Sequence, residues 1–147
     1  MTNYKTGKDL TKEMPRSPRL LVGGFAILGR TIDKCRALLF GKVGEYHFDC
    51  PLDNQLFSFM EVKGADFKAY VAEGHSDEDI GTWIRSHGAT KTDAQIADWN
   101  DKVSRNNSSD KRDNKPWLEG ENIKLGLHKD ATLFDYLDAD DKASFKK

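Results

Sequence analysis

Apolar residues recur at intervals of three or four along much of this chain, which is the spacing of one face of an α-helix. The strongest pattern predicts a helix over about 25–40, ended by Gly41 in a left-handed C-cap. Ser17 and Pro18 fit the N-cap and first position of a shorter helical turn before Gly23-Gly24. The buried stripe of the main helix would consist of Phe25, Leu28, Ile32, Cys35 and Leu39.

An internal repeat predicts two more helices of related design. The segments SDEDIGTW (76–83) and TDAQIADW (92–99) lie sixteen residues apart. Ser76 and Thr92 suit N-caps, and Gln95 completes a capping box in the second copy. Trp83 and Trp99 would be core anchors, because large aromatic side chains mainly supply buried area. We expect a helical hairpin near 76–106.

The remaining segments complete a mainly α fold. Asp53 is placed to cap a helix running to about Val62, and GADFKAYVAEG predicts another that closes at Gly74. Residues 104–114 have the polar composition of a flexible linker, and IKLGLHK would be a short extended segment. The sequence predicts a single helical domain over 1–147, an irregular bundle of about five or six helices. Its last turns would dock through Leu133, Phe134 and Leu137.

Composition narrows the class of protein. The chain has 147 residues, of which 32% are charged, and a formal net charge of −1. A general nucleic-acid-binding domain would be clearly basic, so a nucleic-acid partner is not expected. We find no signal peptide and no run of 18 apolar residues, so no membrane partner is expected and a cytoplasmic location is predicted. Cys35 and Cys50 would be reduced thiols there.

The charge is divided unevenly along the chain. Residues 1–42 carry nine Lys or Arg against three Asp or Glu, a balance of +6, and the remainder carries −7. An anionic small molecule or an acidic protein surface could be attracted by the basic region. The alternative is that the basic and acidic regions attract each other.

The segment GEYHFDCPLD (44–53) concentrates reactive side chains in one loop. Cys50 just before a helix, with His47 three residues earlier, could act in nucleophilic or acid/base chemistry with Asp33. Alternatively, Cys50 is a small buried hydrophobe that is inert to alkylating reagents. His47-x-x-Cys50 is half of a zinc motif, so neither a metal site nor a cofactor is predicted.

Five side chains are the predicted ligand-binding set. Arg16 and Arg19 flank a proline-framed turn, where guanidinium groups suit phosphate or carboxylate. The alternative for both is structural ion pairing with the acidic region. A helix that returns into the 44–53 loop would bring the set around one pocket. Its members are Arg16, Arg19, Arg30, Lys34 and Tyr46.

The chain resembles a bacterial family of domains of unknown function. The resemblance rests on DLTKEMPRSPR (9–19), Gly23-Gly24, RTIDKCRA (30–37), GEYHFDCPLD (44–53) and the first tryptophan helix. It implies no reaction, cofactor or partner. The sequence therefore favours a non-catalytic binding module for an anionic small molecule or an acidic protein surface. The alternative is a small enzyme that uses Cys50, His47 and Asp33.

Overall fold

The fold is mainly α-helical, as the sequence predicts. A computed structural model describes residues 7–105 and 114–145. These ranges contain seven helices rather than five or six, and no strand beyond an isolated bridge between Val22 and Phe25. The helices are α1 (Leu28–Leu39), α2 (Pro51–Met60), α3 (Gly64–Ala72), α4 (Asp77–His87), α5 (Asp93–Ser104), α6 (Asn114–Lys124) and α7 (Leu133–Phe145).

Helix α1 is the centre of the bundle. It packs against α2, α3 and α4, while α6 packs against α7. One apolar core joins the predicted stripe of α1 to α2, α3 and α4, with Ile32 and Phe57 fully or almost fully buried. A second core gathers Ile27 with the first buried residues of α7 and with Leu118 of α6. Trp99 of α5 packs against both cores.

The segment before α1 is a pair of turns and not a helix. The Leu20 amide donates to the Ser17 carbonyl, and no helix begins at Ser17 or Pro18. Gly23 and Gly24 have φ of 59° and 88°, which suits the tight turn closed by the Val22–Phe25 bridge. Proline and glycine fit a turn as well as a helix start, and here the turn is formed. The predicted helix over about 25–40 begins at Leu28.

The start of α2 differs from the prediction by three residues. Cys50 is the N-cap, Pro51 is the first helical residue, and Asp53 is the third. The Asp53 carboxylate accepts from the amides of Asp49 and Cys50, at 2.8 and 3.4 Å. Asp53 therefore closes a capping box from inside the helix, where a buried acidic group at the positive helix end is favourable.

The repeated tryptophan segments form α4 and α5 with the caps that the sequence predicts. Ser76 accepts from the Asp79 amide, and Thr92 and Gln95 form a reciprocal capping box. Trp83 is buried, whereas Trp99 is half-buried, and the two have different neighbours. Trp83 stacks on Tyr70 of α3, whereas Trp99 stacks on Phe59 of α2.

The C-terminal part is more helical than the sequence suggests. The IK of IKLGLHK belongs to α6, so the predicted extended segment is wrong there. Leu133, Phe134 and Leu137 dock α7 into the second core, as predicted. Of the proposed linker 104–114, residues 106–113 lie outside the described residues, and its two ends belong to α5 and α6. None of the helices in 7–105 and 114–145 has the length and apolar character needed to cross a membrane.

Candidate functional site

A cavity of about 570 Å³ opens beside the 44–53 loop. Helix α1 supplies two basic side chains to its wall, and α7 supplies apolar and acidic side chains. The loop contributes both its exposed and its half-buried residues. The lining residues are Leu10, Thr11, Arg30, Lys34, Gly44, Glu45, Tyr46, His47, Cys50, Leu52, Tyr136, Leu137, Asp140, Ser144 and Phe145.

Lys34 is the inner cation of the cavity. Its side chain is 3% exposed, and its Nζ lies 3.0 Å from Oδ1 of Asp53, a carboxylate with no exposed surface. The same ammonium donates to Sγ of Cys50 at 3.3 Å. Thr31 also donates to Oδ1 of Asp53, at 2.6 Å. The Asp53 carboxylate is thus fully engaged by α1 and its own helix start, which makes burial of both charges tolerable.

Arg30 forms the second buried ion pair, one turn before Lys34 on α1. Its two terminal nitrogens donate to the two oxygens of Asp141 on α7, at 2.7 and 3.2 Å. Burial disfavours the charged guanidinium, but the hydrogen bonds and charge of Asp141 outweigh it and raise the pKa of Arg30. The Tyr46 hydroxyl donates to Oδ1 of Asp141 at 2.8 Å, and its ring lies against the guanidinium.

Three further groups on the wall have shifted pKa values. Burial, followed by the charge of Asp141, raises the pKa of the Asp140 carboxyl. Burial, followed by the charge of Asp140, raises the pKa of Tyr136 to about 12. Burial and the hydrogen bond to Asp141 also raise the pKa of Tyr46. These hydroxyls stay protonated at neutral pH, so both can donate hydrogen bonds.

The structure brings three of the five predicted ligand-binding residues to the cavity, namely Arg30, Lys34 and Tyr46. The other two lie outside its wall. Arg16 donates to Asp33 and Asp77, joining the N-terminal segment to α1 and α4. Arg19 pairs with Asp135 and Asp138 of α7.

Two of the three predicted catalytic residues also line the cavity, and the third does not. Cys50 is half-buried and His47 is exposed, and both line the cavity. Asp33 is 4% exposed, and its carboxylate is held by the Arg16 backbone amide and side chain away from that wall. Cys50 is therefore not the fully buried residue of the inert interpretation, whereas Cys35, which is predicted in the buried stripe of α1, has no exposed surface. Burial raises the pKa of its thiol to about 12.

Sequence reasoning missed the contribution of α7. Asp140 and Asp141 look like part of an acidic surface run, and the sequence shows no sign that Asp141 pairs with Arg30. A partial signal exists in the spacing of Asp135, Asp138 and Asp141, which places three carboxylates near one face of a helix. All three bind arginines from the basic first third of the chain.

No metal centre is evident in the part of the chain that the structure describes. There, no three His, Cys, Asp or Glu side chains come together in a group that could hold an ion. A family described as a domain of unknown function (DUF5069) matches residues 12–143. A comparison with curated proteins finds no match.

Proposed function

The chain belongs to the DUF5069 family of domains of unknown function, which implies no reaction, so we propose a function from the cavity itself. The protein is a non-catalytic binding module for a small molecule that carries one anionic group on an apolar body. The observation that supports this is the buried Lys34 ammonium at the inner wall of a cavity of about 570 Å³. Such a volume lies in the usual range for small-molecule sites.

Lys34 is the anchor for the anionic group. A lysine ammonium has three N–H donors. Cys50 accepts one of them, and the Asp53 carboxylate pairs with the ammonium at 3.0 Å, which leaves donor capacity for a carboxylate oxygen of a ligand in the cavity. A charge-assisted hydrogen bond in a site of low water content is stronger than the same bond in water.

The remaining charges of the wall favour a monoanion. The Arg30 charge is balanced by Asp141, and Glu45 and Asp140 also line the cavity. A polyphosphate or a dicarboxylate would bring a second negative charge close to these carboxylates, which is unfavourable. The apolar side chains Leu10, Leu52 and Leu137, with aromatic rings beside them, suit an apolar or aromatic body.

The two other functions that the sequence suggests have weaker support. An acidic protein surface would have to displace the aspartates that already hold Arg16 and Arg19. The enzyme alternative keeps Cys50 and His47 at the cavity, but Asp33 is engaged by Arg16. A catalytic mechanism would therefore need a different proton acceptor.

The test is ligand-induced thermal stabilisation of the full chain. We expect phenylacetate to raise the melting temperature, because it combines one carboxylate with an aromatic body. The neutral isostere 2-phenylacetamide should have little effect, and acetate, which lacks the body, should have little effect either. If phenylacetate and its amide stabilise equally, or if neither stabilises, the proposed function is wrong.

A matched pair of variants on α7 locates the effect. Ser144 and Ala143 are adjacent exposed positions, but Ser144 lines the cavity and Ala143 is not on its wall. Ser144→Trp should fill part of the cavity and remove the stabilisation by phenylacetate. Ala143→Trp should preserve it. Equal behaviour of the two variants would place the ligand elsewhere.

A further inference from the structure

Lys34 and Cys50 form a close amine–thiol pair. The Nζ and Sγ atoms are 3.3 Å apart, and Nζ also lies 3.0 Å from the buried Asp53 carboxylate. The lysine comes from α1 and the cysteine from the N-cap of α2. The thiolate is the reactive form of a cysteine, and the Cys50 sulfur lies in direct contact with an ammonium that can later supply a proton.

The cavity gives small solutes access to this pair. Cys50 is half-buried and lies on the wall of a space of about 570 Å³, which is far larger than a peroxide molecule. The other cysteine offers a contrast within the same chain. Cys35 is fully buried in the first core, and burial raises the pKa of its thiol to about 12. A peroxide therefore has one accessible thiol among the described residues, and that thiol has an amine as its neighbour.

We propose that Cys50 is a site of oxidation by hydroperoxides and that Lys34 resolves the oxidised cysteine into a covalent sulfur–nitrogen cross-link between α1 and α2. Cysteine sulfenic acids condense with thiols and with backbone nitrogen. Here the nearby nitrogen is a side-chain amine at 3.3 Å. This inference does not depend on the ligand proposed above.

With hydrogen peroxide as the oxidant, the cross-link forms in two steps. In the first step the Cys50 thiolate attacks one peroxide oxygen, the O–O bond breaks, and the departing hydroxide takes a proton from the Lys34 ammonium. The products are a sulfenic acid, a neutral amine and water. In the second step the amine nitrogen attacks sulfur, the S–O bond breaks, and a second water leaves. Overall, sulfur is oxidised, the peroxide is reduced, and the protein loses two hydrogen atoms.

The cross-link would change the electrostatics of the cavity wall. Lys34 loses its positive charge when its nitrogen bonds to sulfur, and the buried Asp53 carboxylate loses its ion-pair partner. An uncompensated buried carboxylate is costly. The cross-linked state is therefore electrostatically unfavourable. Excess thiol should readily reverse it by reducing the S–N bond, which restores both side chains.

The experiment is intact-mass spectrometry of the full chain after mild treatment with hydrogen peroxide. The parent should lose the mass of two hydrogen atoms and regain it with dithiothreitol. Cleavage after glutamate should then yield peptide 14–45 joined to peptide 46–61. A parent that only gains oxygen, or that does not change, would overturn the proposal.

Three variants distinguish the cross-link from a disulfide between the two cysteines. Cys35→Ser should still lose two hydrogen atoms, whereas Cys50→Ser should not. Lys34→Arg keeps the positive charge but lacks a condensing amine, so its oxidation should stop at a sulfenic acid that a dimedone probe traps. Loss of the cross-link in Cys35→Ser identifies a disulfide and refutes the proposal. That comparison remains decisive even if Lys34→Arg does not fold.

Discussion

Arg30 and Asp141 are 111 positions apart in the sequence, yet they form a two-point ion pair at 2.7 and 3.2 Å. Their side chains are only 4% and 3% exposed. The pair joins α1 to α7 beside the cavity, and the Tyr46 hydroxyl supports it from the loop. Both helices line the cavity, so this ion pair helps to fix their positions in its wall.

Removing the carboxylate of Asp141 should strongly destabilise the fold. Asp141→Ala leaves the Arg30 guanidinium buried without its counter-ion, and the free energy of unfolding should fall by about 3–5 kcal/mol. Urea unfolding measures this. The control is Asp138→Ala, which removes one partner of the much more exposed Arg19 and should cost less than about 1 kcal/mol. Similar losses in both variants would contradict a special role for the buried pair.

Neutralising Asp140 should stabilise the protein at neutral pH. Burial and Asp141 raise the pKa of this carboxyl, so folding favours its protonated form. The stabilisation that comes from the protonated Asp140 carboxyl is present at low pH. It is lost as pH rises above 3.8, the ordinary pKa of an aspartate, and through the higher pKa of the folded state. Asp140→Asn cannot ionise, so its melting temperature should exceed that of the parent at pH 7. The difference should close as pH falls below about 4. An Asp140→Asn variant that is less stable than the parent at pH 7 would contradict a raised pKa of Asp140.

The three tryptophans should differ in their contribution to stability according to burial. Trp83 is 8% exposed in the first core, and Trp83→Ala should cost about 3–5 kcal/mol. Trp99 is half-buried, so its replacement should cost less. Trp117 is 48% exposed and should cost least. Denaturant melts of the three alanine variants test the order, and a Trp117 variant as unstable as the Trp83 variant would contradict it.

Replacing Arg16 should lower the melting temperature more than replacing Arg19. Arg16→Gln breaks contacts that join the N-terminal segment to Asp33 and Asp77, and its side chain is 21% exposed. Arg19 is 43% exposed, so Arg19→Gln should change the melting temperature less. Neither variant should remove stabilisation by phenylacetate, because neither side chain lines the cavity. Loss of that stabilisation in a folded Arg19→Gln protein would show that Arg19 contributes to ligand binding.

Local signals in the sequence were reliable where a few neighbouring residues decide the structure. The cap at Ser76, the capping box of Thr92 with Gln95 and the left-handed Gly41 depend on contacts within three or four positions. The helical turn predicted after Ser17 is wrong, because proline followed by a glycine pair is equally suited to consecutive turns. Local propensity does not choose between the two.

The burial of the α1 charges could not be predicted in the same way. By helical spacing, Arg30 and Lys34 fall outside the apolar stripe, which usually means exposure to solvent. They are buried because α7 and the start of α2 cover them and supply Asp141 and Asp53. Partners this distant in sequence leave no periodic signal. The unusual 44–53 loop therefore predicts part of the site, whereas the part of the wall that α7 supplies is not predicted.

The position of α7 in the chain also affects protein synthesis. A ribosome makes Arg30 long before its partner, because Asp141 is the 111th residue added after Arg30. Until then the nascent α1 keeps a guanidinium that has no buried counter-ion, and water is its best partner. The cavity wall is complete only after translation has passed Phe145. A premature stop codon anywhere before α7 would therefore yield a chain without the cavity and with an arginine that resists burial.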